Sequence, residues 1–187
     1  MTYFIIAIVL LMIIAPIVAV LPSKGQKARM TLRQAAMRDG ISVELTQIED
    51  PIPKQDKYIS PTGRPLEPLL KVAAYRLARQ KPLEWRKTPR LDWCIRRCAE
   101  ASTNSLPGTW DWRDQEPDGL NTAFLQFLAE RVAQLPGDVV QIEEHNFMLT
   151  VFWREASGDE GLSSVVSFLK DGVAIELVEP GDDSDLD

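Results

Sequence analysis

The chain has 187 residues, 45% of them hydrophobic, with 21 lysines and arginines against 27 aspartates and glutamates, a net charge of −6. That length accommodates one domain with attachments, and the acidic total argues against a dedicated nucleic-acid binder. Two cysteines, Cys94 and Cys98, are too few for a disulfide framework and fit a reducing compartment.

The first element is an apolar run. Tyr3 to Leu21 holds nineteen residues without a charge. At a rise of about 1.5 Å per residue, a helix over it covers about 28 Å, close to a bilayer's hydrocarbon core. A secretory signal would carry a basic leader, a shorter apolar stretch and a small-x-small cleavage site. Here only Met1 and Thr2 precede the run. Residues 1–22 are therefore expected to be an uncleaved transmembrane anchor, in which Pro16 is tolerable. Lys24, Lys27, Arg29, Arg33 and Arg38 follow it, opposed only by Asp39. The positive-inside rule then puts the N-terminus outside and the rest in the cytoplasm, at an inner membrane.

Residues 23–40 form the next expected element, a basic juxtamembrane helix capped by Ser23 and closed by Gly40 as its C′ residue. Its apolar positions, Met30, Leu32, Ala36 and Met37, are too few for a deep core face. Such a helix lies against anionic headgroups, at roughly 1 kcal/mol per charge, or docks a partner in a membrane complex.

A single expected span is followed by Pro22, then Gln26, Lys27 and Arg29 in a basic helix, then Gly40 and a strand at Val43. In this order of features, roughly the first 45 residues resemble the YajC-like single-span inner-membrane proteins, which include a translocase accessory subunit and pseudomonad-type relatives. The resemblance implies a membrane accessory protein with a protein partner, and it brings no catalytic residues. The domain that follows is longer than the small barrel-like domain of that family and is rich in tryptophan.

Residues 41–178 read as one domain. Ile41, Val43 and Leu45 alternate over Ile41–Ile48, as in a half-buried strand. Pro51, Pro53, Pro61, Pro65 and Pro68, with a Thr62-Gly63 turn signal, make 50–68 an extended surface loop or linker. Leu69 to Arg79 fits a helical stripe and also a strand. Leu91–Arg97 and Thr109–Arg113 read as one-sided antiparallel strands, with Leu91, Trp93 and Ile95, and Trp110 and Trp112, on their apolar faces. Leu120–Leu135 has helical periodicity, capped by Asp118 or Asn121 and ended by Pro136-Gly137. A hairpin follows: Val139–Ile142, a polar turn at Glu143–Asn146, and Phe147–Trp153. The second strand is apolar on both faces and so belongs inside the sheet. Glu160–Lys170 is a further helix, with Gly172 as its C′ residue. The fold class is α+β, an antiparallel sheet with helices packed on one face. The acidic tail 179–187 is expected to be disordered.

Chemistry is sparse. The chain has no phosphate-binding glycine loop, dinucleotide fingerprint, nucleophile elbow or His-Glu-x-x-His motif. His145, the only histidine, adjoins Glu143 and Glu144 in the expected turn, which is adjacency rather than a catalytic constellation. With Cys94 and Cys98 it supplies three soft donors, one short of a closed zinc site. No catalytic, cofactor-binding or metal-ligating residue is assigned, no cofactor is implied, and an enzyme is the lesser reading.

The distinctive stretch is Lys71 to Arg97, where Lys71, Arg76, Arg79, Lys81, Arg86, Lys87, Arg90, Arg96 and Arg97 interleave with Tyr75, Trp85 and Trp93. A solvated basic sheet face over a tryptophan core, a contact with anionic lipid or protein, and a grip on nucleic acid are its three readings. Lys24, Lys27, Arg29, Arg33, Arg38, Arg76, Arg79, Arg86, Lys87 and Arg90 are the candidate membrane or partner contacts. The expected function is that of a membrane-anchored accessory or scaffold protein whose cytoplasmic domain binds another protein. The alternatives are a membrane-tethered enzyme or small-molecule sensor, and a peripheral nucleic-acid or lipid contact through Lys71–Arg97.

Overall fold

The structure, a computed structural model, describes residues 3–4, 11–12, 14, 23–53, 56–81, 91–100 and 106–178. Most of the expected anchor and the whole acidic tail lie outside them. Tyr3, Phe4, Leu11, Met12 and Ile14, the described part of the apolar run, are helical and expose their side chains. No helix among the described residues is long and apolar enough to cross a membrane.

Helix α1, Lys24–Arg38, starts on a reciprocal capping box. The Ser23 Oγ accepts the Gln26 amide at 3.3 Å, and the Gln26 side chain accepts the Ser23 amide at 2.8 Å. Gly40 then takes φ +81°, the left-handed turn a glycine adopts without penalty. The helix packs onto the domain. Leu32 and Ala36, one turn apart, are buried in the main core. Two apolar residues suffice because Ala36 lets the backbone come close and an ion pair from Arg33 adds a second attachment.

Strand β1, Ser42–Glu49, opens a six-stranded antiparallel sheet with β2 Leu69–Ala78, β3 Trp93–Arg97, β4 Trp110–Trp112, β5 Val139–His145 and β6 Met148–Trp153. Their spatial order is β1-β2-β6-β5-β3-β4. The open question at Leu69–Arg79 resolves as a central strand. Val72, Ala73, Ala74 and Tyr75 are buried in succession, so neither face shows the alternation that marks a half-exposed strand. The described residues of the 50–68 loop are held by side-chain and backbone contacts. Buried Asp50 accepts from the Tyr58 hydroxyl at 2.5 Å, the Ile52 amide at 2.9 Å and Lys57 at 2.9 Å, and a bridge joins Ile59 to Pro65.

Helix α2, Thr122–Arg131, is capped by Asn121, whose side chain accepts the Ala123 amide at 2.8 Å, and it runs into a short 3-10 turn at Val132–Gln134. The β5–β6 turn is tighter than expected. It is the pair Asn146-Phe147, both at positive φ, as a two-residue turn with the strands' twist requires. Helix α3, Gly158–Ala174, is longer than expected and passes through Gly172. That glycine is not a terminator but a close approach: a Cβ there would lie 2.9 Å from Leu149 Cδ2 and 3.2 Å from a Phe127 ring carbon.

α3 touches α1, α2, β2 and β6. The main core joins Phe124, Phe127, Leu128, Val165, Phe168 and Leu169 from the helices to Tyr75, Trp93, Ile95, Ile142, Val151 and Trp153 from one face of the sheet. A smaller cluster, Val72, Ala74 and Phe152, lies on the opposite face.

Candidate functional site

Where β6 ends, the chain turns sharply and puts Glu155 at φ +57°. A carboxylate residue in the left-handed region costs on the order of 1 kcal/mol and persists only when its surroundings hold it there. Two residues do. Arg33 reaches from α1 and donates Nε to Oε1 at 2.8 Å and Nη2 to Oε2 at 2.5 Å. The Tyr75 hydroxyl, from β2, donates to Oε1 at 2.9 Å. Burial, with the Glu155 charge and hydrogen bond added, pushes the Tyr75 phenol well above its ordinary range, so it stays a neutral donor. The hydrogen bond to Glu155 outweighs burial and raises the Arg33 guanidinium further. One buried carboxylate thereby fastens helix, strand and turn.

Above that triad lies a cleft of about 340 Å³ between α1, the β1–β2 end of the sheet and the turn after β6. Arg29, Arg33, Lys71 and Arg154 line it, with Leu45 and Ala73, cross-strand partners, as apolar wall. Arg29, Lys71 and Arg154 are exposed and form no ion pair among the described residues. Four cations against the single carboxylate Glu155 leave the cleft at +3, and both oxygens of that carboxylate are already engaged.

The second feature is the β1 edge. β1 is eight residues long and free of proline, and it pairs in unbroken register with β2 alone among the described residues. Leu45 projects from it, 64% exposed. The opposite edge, β4, has three residues.

The sequence-derived contact residues fare differently. Lys24, Lys27, Arg29 and Arg38 are exposed on α1, while Arg33 is engaged with Glu155. Strand alternation breaks up the basic stretch from Lys71: Arg76 pairs with Glu44 on one face, and Lys71 stands opposite Gln47 on the other. Arg79, expected on an exposed contact face, is buried. Its Nε and Nη2 meet Glu144 at 2.7 and 2.8 Å, and its Nη1 donates to the Val173 and Ile175 carbonyls. Arg97 is likewise turned inward, donating to the Val139 carbonyl at 2.7 Å with its guanidinium over the Trp110 ring. Arg86, Lys87 and Arg90 lie outside the described residues.

His145 is exposed, with Nδ1 2.7 Å from Asp92, a partner that sequence adjacency to Glu143 and Glu144 did not suggest. Cys94 and Cys98 are free and half-buried. Burial, followed by the charge of Glu143, pushes the Cys94 thiol up to about 12, which leaves almost no thiolate for nucleophilic or redox work at neutral pH. No group of three or more His, Cys, Asp or Glu side chains among the described residues could hold a metal ion. Glu155 and Arg154, which line the cleft with Arg33 and Lys71, were not singled out from the sequence, and Tyr75 was named there only as an aromatic of the basic stretch.

No protein-family model matches the chain, and neither a curated protein nor a solved structure matches it.

Proposed function

We propose that this is a single-pass, inner-membrane accessory protein that docks a protein partner through its cytoplasmic α+β domain, the partner adding an extended segment to the β1 edge. The observation that carries this reading is β1 itself. Natural sheets blunt long edges with short strands, prolines, bulges or inward charges; β4 is blunted by brevity, but β1 offers eight regular residues and an exposed leucine. An unpaired edge with an apolar side chain is the substrate for strand addition, in which main-chain hydrogen bonds supply affinity and side-chain pockets supply specificity.

The membrane part of the proposal has separate support. Nineteen uncharged residues precede the domain, and the described ones among them are helical with apolar side chains facing outward. The basic flank puts the domain on the cytoplasmic side by the positive-inside rule, and the YajC-like order of the first segments points the same way.

Affinity purification of the full chain from detergent is the test, run beside a Leu45→Lys variant. A stable partner recovered with the parent and lost with the variant is the expected result. Repeated recovery of the protein alone, or a partner indifferent to Leu45→Lys, would remove the proposal.

A further inference from the structure

We propose that the cleft between α1 and the β1–β2 edge is a binding site for a phosphate ester, its phosphate gripped by Arg29, Lys71 and Arg154. The argument begins with what is left unneutralised. In a chain with six more acidic than basic residues, three exposed cations on three separate elements, α1, β2 and the turn after β6, line one cavity without an ion pair among the described residues. The nearest carboxylate cannot relieve them. Glu155 takes two hydrogen bonds from Arg33 and one from Tyr75, so its charge is committed beneath the cleft rather than within it.

Position matters as much as charge. Glu155 holds its neighbour Arg154 at the rim through a backbone conformation that a non-glycine residue adopts only under constraint. Arg33, fastened to Glu155, fixes the helix face that presents Arg29 one turn earlier. The strained turn and the ion pair thus act as a frame that keeps cations together despite their repulsion. Two guanidiniums and an ammonium suit a phosphate: the planar forks bind its oxygens in pairs and the lysine adds a compact charge. A volume of about 340 Å³ admits a phosphate with a glycerol-sized substituent, and the exposed Leu45 offers apolar contact to the rest of an ester. Such a group could arrive as an anionic phospholipid headgroup or as a soluble phosphate, and the chemistry of recognition is the same.

The experiment uses the full chain in zwitterionic detergent at low ionic strength, with binding followed by calorimetry. One arm titrates glycerol 3-phosphate and inorganic phosphate; the other titrates short-chain phosphatidylglycerol. We expect saturable binding in at least one arm, weakened about tenfold or more by Lys71→Glu with Arg154→Glu, since each removes a charge-assisted contact. Arg38→Glu, the same reversal on α1 outside the cleft, should leave it unchanged. Binding in the lipid arm alone identifies the headgroup source, and binding in both shows that the phosphate suffices. Should the double reversal unfold, Lys71→Gln and Arg154→Gln carry the same expectation with smaller losses. Absence of binding in both arms, or equal weakening by Arg38→Glu, overturns the proposal.

Discussion

Two buried arginine–glutamate pairs fasten the fold, one between the end of β2 and β5 and one between α1 and the turn after β6, and they differ in what surrounds them. Arg79 and Glu144 have side chains 6% and 1% exposed. The donors that Arg79 does not spend on Glu144 go to carbonyls at the end of α3, and its guanidinium stands 5.4 Å from the Phe124 ring centroid. Arg33 and Glu155 are 22% and 3% exposed, and their pair opens onto a cleft with three cations that have no ion-pair partner among the described residues. Identical chemistry makes a structural lock where backbone acceptors and an aromatic ring close it in. It makes the floor of a site where one partner keeps contact with water.

The sharpest way to break that comparison is to remove each carboxylate. Glu144→Ala strands the Arg79 charge in the core, and a loss of about 3–5 kcal/mol is expected by denaturant unfolding. Replacing both members, Arg79→Met with Glu144→Leu, should recover most of it. Glu155→Gln should cost less, about 1–2 kcal/mol, because Arg33 can turn toward water and the amide retains part of the hydrogen bonding. Glu155→Gly should fall at the low end of that range, because glycine relieves the left-handed turn. Equal losses at Glu144 and Glu155 would erase the distinction between lock and site.

A smaller effect is expected in acid. Asp138 accepts from the Ser157 hydroxyl at 2.7 Å and from the Ala156 and Ser157 amides at 2.5 and 3.1 Å, and so pins the turn that carries Glu155. Burial works to raise its carboxyl, but these hydrogen bonds prevail and hold it below its ordinary value of 3.8. A depressed folded value means stability that is present above the unfolded value and lost as pH falls through the folded one. Unfolding free energies should therefore decline below about pH 4, and Asp138→Asn should flatten that decline. Asp50 shifts in the same direction and adds to the same limb. The smallest change in stability, within about 0.5 kcal/mol, is expected for Leu45→Lys on the exposed edge, even though partner binding should be lost.

Much of the fold was legible in the sequence because it obeys simple periods. Trp93 and Ile95, and Trp110 and Trp112, alternate as their half-buried strands require, and the stripe through Phe124, Leu128 and Val132 follows the helical repeat. Legibility failed where tertiary contact overrode the local pattern. β2 is covered on both faces and lost its alternation; Gly172 resembled a helix end but marks where α3 meets Leu149. The hairpin lacked a glycine, so its turn at Asn146-Phe147 gave a weak signal. The site was nearly invisible for a further reason. Arg33 and Glu155 are 122 residues apart, and Arg79 and Glu144 are 65 apart. Nothing in a charge run tells which arginine will turn inward to a distant glutamate. The basic stretch read as one face because strand alternation, which splits it, acts on a segment whose strand character was itself ambiguous.

The docking edge is tested most directly by a photo-crosslinking residue placed at Leu45 in the full chain in cells, with the exposed Ala123 of α2 as the control position. We expect one discrete adduct from Leu45 and none from Ala123. No adduct at Leu45, or the same products from both positions, would contradict a partner strand on β1.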